Sequence, residues 1–123
     1  MSLLKIALLQ IAPCDTLKDN LEKGIKYCKK AKEQGADIAL FSEMWSNGYN
    51  IYHQPVEKWK AEAISANSDF VNTFGNLAKE LSMAIGITLL EKNENGPRNS
   101  LVLLTDLVNQ NLPMQRYIPV TLM

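Results

Sequence analysis

The sequence predicts an α/β domain, and three observations carry that prediction. Residues 3–11 form an apolar run broken only by Lys5 and Gln10 and stopped by Pro13, which suits a strand buried on both faces. A helical pattern follows, with Leu17, Leu21, Ile25 and Cys28 spaced along one face. Residues 36–41 then return as a second apolar strand, and a crossover of this length lets the two strands pair in parallel.

Each element has local reasons to start and stop where it does. Asp15 or Thr16 opens the first helix, with Asp19 placed to complete a capping arrangement with Thr16. Lys18, Glu22, Lys26, Lys29 and Lys30 lie largely off the apolar face, Glu22 and Lys26 form a favourable i,i+4 pair, and Gly35 is the expected stop. A polar, aromatic loop runs over residues 42–54, and Pro55 begins a short helix reaching about Ile64. Ser68 caps a further helix whose buried side carries Phe70, Phe74, Leu77 and Leu81. Residues 83–90 read as a third strand, residues 91–98 with Asn95-Gly96-Pro97 as a turn, and residues 100–104 as the start of a fourth strand.

Composition narrows the function classes. The 123 residues fit one ordinary domain, large enough to bury a core without disulfides or metals. Thirteen basic residues balance thirteen acidic ones, so no electrostatic case exists for nucleic acid or an anionic membrane surface. Cys14, Cys28 and the single histidine, His53, lack the number and spacing of a structural zinc site, so no metal or other cofactor is expected. The two cysteines read as free thiols of a reducing compartment. The N-terminus enters its first strand with no basic leader and no apolar run long enough to span a bilayer, which places the chain in the cytoplasm.

Glu43 is the candidate catalytic residue. In open α/β sheets, ligands bind beyond the carboxyl ends of the strands, and Glu43 lies two residues past Phe41 among Ser42, Met44, Trp45, Asn47 and Tyr49. Apolar and aromatic neighbours disfavour the charged form of a carboxylate, which suits a group that must take and return a proton. A solvated loop glutamate is the competing reading from position alone. Trp45 and Tyr49 are the candidate substrate-binding residues of the near wall, with Tyr52 beside them. The other reactive groups read as structural. Cys28 falls on the apolar helix face, Cys14 has no basic neighbour in sequence, His53 has no partner in view, and residues 26–32 are the solvated side of a helix. No glycine-rich phosphate loop is present.

An ordered set of features resembles the nitrilase superfamily of carbon–nitrogen hydrolases. It comprises the first strand ending in Gln10, Asn20 early in the helix, Gly35-Ala36-Asp37 leading to Leu40-Phe41-Ser42-Glu43, and Gly48-Tyr49, followed by Gly86 and Arg98-Asn99-Ser100-Leu101-Val102. The resemblance implies an αββα sandwich, of which this chain has the N-terminal part. It also implies a Glu–Lys–Cys triad that hydrolyses small nonpeptide amides, with Glu43 at the position of the general base. That family's lysine follows the fourth strand in a tyrosine–x–lysine–x–histidine setting and its cysteine comes later still. This chain has no lysine after Lys92, and neither of its cysteines matches.

Residues 1–104 therefore read as a partial hydrolase domain and residues 105–123 as a tail outside the family pattern. The tail carries Pro113 and Pro119, has no clear period, and shows only a weak strand tendency over residues 117–122. A single base lost just after Leu104 accounts for it. With the base restored, suitable codons turn Leu-Leu-Thr-Asp-Leu-Val into Leu-Leu-Asp-Arg-Phe-Gly, and residues 112–122 into Thr-Tyr-Ala-Lys-Val-His-Thr-Cys-Asp-Phe. Most of these codons are free choices, but Met114-Gln115 forces alanine and Tyr117-Ile118 allows only tyrosine or histidine. The expectation is a chain inactive by itself and, with an uncovered half-sandwich, a homo-oligomer or self-associating species. The alternative is a non-catalytic α/β binding or interaction domain. A flavodoxin-like binder is disfavoured because residues 12–16 lack a phosphate cradle.

Overall fold

The structure, a computed structural model, describes residues 3–50, 54–105 and the backbone of 115–118. In chain order it forms β1 (Ile6–Leu9), α1 (Leu17–Glu33), β2 (Ile38–Phe41), a 3-10 turn (Trp45–Asn47), α2 (Val56–Lys60), α3 (Asp69–Leu81), β3 (Ala84–Glu91), β4 (Arg98–Leu104) and β5 (Gln115–Ile118). The strands make one five-stranded sheet in the order β1-β2-β3-β4-β5. β1, β2 and β3 pair in parallel, and β4 and β5 join antiparallel.

The helix signals act as expected. Thr16 caps α1 by accepting the Asp19 N–H at 3.1 Å, and Ser68 caps α3 by accepting the Val71 N–H at 3.5 Å. Gly35, at φ +84, ends the first helix while the Ala36 N–H closes back on the Ala31 carbonyl. Both helices lie on the same face of the sheet. There Phe41, Trp45, Phe70 and Phe74 stack edge to face and tilted, with ring centroids 5.2–5.4 Å apart, above Ile85, Ile87, Leu89, Val102 and Leu104.

Four expectations need correction. The buried side of α1 is rotated from the one expected: Asn20, Gly24, Cys28 and Ala31 face inward, whereas Leu17 is exposed and Leu21 and Ile25 are only partly covered. The cause is close packing. A Cβ on Gly24 would lie 2.7 Å from Phe74 and 3.1 Å from Phe41, so the helix seats on its small residues. Second, β1 is short and is buried on one side only, with Ile6 and Leu8 51% and 62% exposed. Third, the helix begun at Pro55 stops at Lys60, because Ile64 pairs with the edge of β3: its N–H donates to Leu90 O, and its carbonyl accepts from Lys92 N–H. Fourth, the tail's strand is Gln115–Ile118, earlier than expected, and residues 119–122 lie outside the described part.

The register explains the second face of the sheet. Ile6, Ile38 and Ala84 align in one row, and Leu8, Leu40, Gly86 and Leu103 in the next. These positions alternate with those that meet the helices, so the period of the strands sends a full set of apolar side chains away from the core. The described residues are thus one helical layer on one sheet, half of the expected four-layer sandwich.

Candidate active site

The chain leaves β2 at Phe41 and turns sharply through Ser42, Glu43 and Met44. Met44 is left-handed (φ 53, ψ 46), as are Gly48 (φ 66) and Tyr49 (φ 60). A non-glycine residue held there costs about 1–2 kcal/mol, which the surroundings must offset. Gly48 has a further constraint, since a Cβ on it would stand 2.7 Å from the Pro13 ring.

Three buried polar side chains hold the turn. The Thr88 hydroxyl, on the central strand β3, donates to the Ser42 carbonyl and accepts the Trp45 N–H at 3.1 Å, so one side chain ties both ends of the Glu43-Met44 turn. Ser46 Oγ accepts the Leu90 N–H at 3.1 Å. Asn20 is only 1% exposed; its Oδ1 accepts the Cys14 N–H at 2.6 Å and its Nδ2 donates to the Ser46 carbonyl at 3.4 Å. The Trp45 indole N–H donates to the Asn20 carbonyl at 3.0 Å. Buried polar groups of this kind are costly when unpaired and rigidifying when satisfied.

Glu43 emerges half-buried from this frame, and its Oε1 accepts a hydrogen bond from Asn99 Nδ2 on β4. Asn99 shares its side of β4 with Leu101 and Leu103 by strand alternation, so the carboxylate belongs to the open side of the sheet. A cleft of about 190 Å³ lies there, lined by Leu40, Phe41, Glu43, Thr88, Asn99, Ser100 and Leu101. It offers an apolar floor, one carboxylate that can accept a proton, and one amide that orients it. Among the described residues, its lining contains no thiol and no cationic group.

Trp45 and Tyr49 do not border this cleft. Trp45 is 1% exposed, packed against Phe41 in the core, and fixes the turn from behind; Tyr49 lies on the surface past the 3-10 turn. Tyr52 and His53 lie outside the described residues. Cys28 is sealed in the core between α1 and the sheet, where burial pushes its thiol up to about 12. Cys14 is partly exposed in the β1–α1 loop and, like Cys28, is unpaired. Among the described residues, no helix is long and apolar enough to cross a membrane.

Asn99 and Thr88 were not foreseen as site residues. The signal for Thr88 is a hydroxyl within the apolar run of β3, whereas Asn99 stands between Arg98 and Ser100 at the polar start of β4, where nothing in the sequence singles it out.

The carbon–nitrogen hydrolase family profile matches residues 5–117. An N-carbamoylputrescine amidase from Oryza sativa subsp. japonica is 24% identical over 103 residues, covering 84% of this chain and 34% of that protein. A CN-hydrolase superfamily protein from Xanthomonas campestris, solved with an arsenic adduct in its active site, superposes with a TM-score of 0.70 at 19% identity. That match covers 97% of this chain and 41% of the other. A mutant of the amidase from Nesterenkonia sp. AN1, solved in complex with butyramide, superposes at 0.64 with 21% identity, over 84% of this chain and 39% of that one. The chain thus spans about a third of the length of the curated relatives it matches. With the helix-backed sheet, the glutamate turn and the family match in agreement, this chain belongs to the carbon–nitrogen hydrolase family.

Proposed function

We propose that this chain carries the general-base portion of a small-amide hydrolase, with Glu43 as the proton acceptor. The observation that supports this reading is the setting of Glu43: a half-buried carboxylate, oriented by Asn99, at the rim of an apolar cleft, on a turn tied at both ends to Thr88. Such a group takes the proton of an attacking thiol and later activates the water that releases the acyl product.

The thiol, and the lysine that would stabilise the tetrahedral anion, lie outside this cleft. Cys28 faces the opposite side of the sheet and Cys14 does not line the cleft, so the chain by itself is inactive toward amides in this reading. Small nonpeptide amides are the substrate class, in line with the amidases it resembles. Trp45 serves substrate binding by holding the turn, and Tyr49 is the remaining aromatic for a near wall. A cytoplasmic chain that self-associates through its uncovered sheet belongs to the same reading.

A chimera tests it. Residues 1–104 are joined to the part of the Nesterenkonia amidase that lies beyond its match to this chain, and butyramide hydrolysis is measured. The chimera is expected to turn over, with Glu43→Gln lowering kcat by about 10²-fold or more. A folded, active chimera indifferent to Glu43→Gln would remove Glu43 from the chemistry.

The same reading treats residues 105–123 as translated out of frame. Pairing of β5 with β4 is compatible with it, because a backbone ladder is formed by N–H and C=O groups that every non-proline residue carries. Sequencing the DNA across codons 104 and 105 decides it. An intact frame, with no downstream hydrolase-like sequence in another frame, would sink the idea.

A further inference from the structure

Glu91 is a buried carboxylate for which the chemistry proposed above has no use. It closes β3 at 6% exposure, and strand alternation puts it in line with Ile85, Ile87 and Leu89 on the side that the helices cover. Its Oε1 accepts Arg98 Nε at 2.5 Å and Ser100 Oγ at 3.5 Å. Arg98 and Ser100 are the two chain neighbours of Asn99. Because they turn to the helical side, Asn99 between them turns to the other, where its amide meets Glu43.

The apolar pattern does not fix that facing. A half-buried strand takes its register from the alternation of apolar and polar residues, and a slip of one position reverses every side chain. β4 reads Arg98-Asn99-Ser100-Leu101-Val102-Leu103-Leu104, so its second half is apolar on both faces. Its partner β3 is also apolar on both faces from Ile85 to Leu90, apart from Gly86 and Thr88. Shifted by one position, Leu101 and Leu103 would replace Val102 and Leu104 against the helices, an exchange of similar apolar volumes. The connection over residues 92–97 is longer than the tight turns that impose register by their own geometry. The polar ends of the two strands remain. In the observed register Glu91 faces Arg98 and Leu90 faces Asn99; after a slip Glu91 would face Pro97 or Asn99 and stand buried without its cation, which is strongly disfavoured.

We propose that Glu91 is a positioning residue: by holding Arg98 and Ser100 on one face of the sheet it sets the β3–β4 register, and so presents Asn99 to Glu43 on the other. Its meaning for catalysis rests on the reading of Glu43 as the proton acceptor; the placement itself is a property of this chain.

Replacing a buried ion pair by well-packed apolar groups often leaves stability unchanged, which separates positioning from stability. Glu91→Leu is the informative variant, because the Arg98 side chain is 46% exposed and can turn to water. The test uses the isotope-labelled 123-residue chain and follows the side-chain amide of Asn99 by NMR. That resonance is identified by its absence in Asn99→Asp, and its bonded position by the shift that Glu43→Ala produces. Cross-strand backbone contacts between Leu90 and Asn99 and between Gly86 and Leu103 report the register. Glu91→Leu is expected to keep the circular dichroism of the parent, to lose both contacts, and to move the Asn99 amide to its position in Glu43→Ala. Glu91→Gln keeps an oxygen acceptor for Arg98 and Ser100 and is expected to retain both signatures. If Glu91→Leu fails to fold, Glu91→Gln with Arg98→Met takes its place, with the same losses expected.

A folded Glu91→Leu chain, or its replacement, that keeps Asn99 on Glu43 would overturn the proposal. So would a displaced amide with the strand pairing unchanged, or Gln and Leu variants that behave alike. If both signatures follow Glu91 while the chimera is indifferent to Glu43→Gln, the positioning stands and the general-base reading falls. If the chimera needs Glu43 and Glu91→Leu leaves Asn99 in place, the reverse holds.

Discussion

The two faces of this sheet are built from the same kinds of residue and live in different environments. On the helical side Ile85, Ile87 and Leu89 are fully buried, sealed by Phe70, Phe74 and the small residues of α1. On the other side Ile6 and Leu8 are more than half exposed and Leu40, Leu101 and Leu103 only partly covered. Burying one such side chain fully is worth about 1.5–3 kcal/mol, so the helical face carries the stability while the open face holds much of its share in reserve. Strand apolarity alone therefore does not tell which face the helices cover: Leu8 and Ile87 are both aliphatic, and only the second is buried.

The largest break in that comparison comes from the ring at the centre of the covered face. Phe74→Ala removes a fully buried side chain that touches Phe41 and Phe70, and is expected to cost about 3–5 kcal/mol in urea unfolding. Replacing Leu8 by alanine on the open face serves as the counterpart, with an expected change within about 0.5 kcal/mol.

Two glycines sharpen the contrast because they present the same clash. A Cβ on Gly24 would meet Phe74 at 2.7 Å, and one on Gly86 would meet Leu40 at 2.7 Å. Phe74 is locked among other rings, so Gly24→Ala should destabilise by about 1–3 kcal/mol. Leu40 ends in a flexible, half-exposed side chain on the open face, so Gly86→Ala should be close to neutral in the isolated chain. Thermal unfolding of both variants checks this; equal losses would mean that the open face is as tightly packed as the covered one.

Thr88 links the two faces, since it projects toward the cleft yet holds a turn that reaches into the core through Trp45. Thr88→Val keeps the shape and leaves the Ser42 carbonyl and the buried Trp45 N–H without their partner, which should cost about 1–3 kcal/mol. Near-ultraviolet circular dichroism of the tryptophans is expected to change with it. An unchanged spectrum and stability would show that the turn is held by Ser46 and Asn20 alone.

The remaining effect is chemical and appears only at alkaline pH. Burial pushes the Cys28 thiol from the ordinary 9.0 up to about 12, so between those values the unfolded chain is expected to lose the proton while the folded one keeps it. Stability linked to this thiol is whole below pH 9 and falls as pH rises toward 12, by up to about 1.4 kcal/mol per unit. Urea unfolding of Cys28→Ala should lack that part of the alkaline decline. At pH 8 a thiol reagent should modify the partly exposed Cys14 and leave Cys28 untouched until the chain unfolds.

Much of this molecule was written locally. Thr16 and Ser68 as caps, Gly35 as a stop, the order of strands and helices, and Glu43 just past the end of β2 follow from residue chemistry acting over a few positions, and that reach is what a sequence displays. The resemblance to carbon–nitrogen hydrolases was legible for the same reason, because its features recur in order along the chain. Which side of α1 turns inward was not legible, since Gly24 yields to Phe41 and Phe74 from elements remote in sequence. Nor were the partners of Glu43. Asn99 reaches it across 56 positions and Thr88 braces its turn from the central strand, contacts that exist only once sheet register brings the strands side by side. The sequence by itself determined the elements and the carboxylate; tertiary structure alone decided that this carboxylate opens onto the uncovered face of the sheet, because facing is a property of register and packing rather than of any one segment.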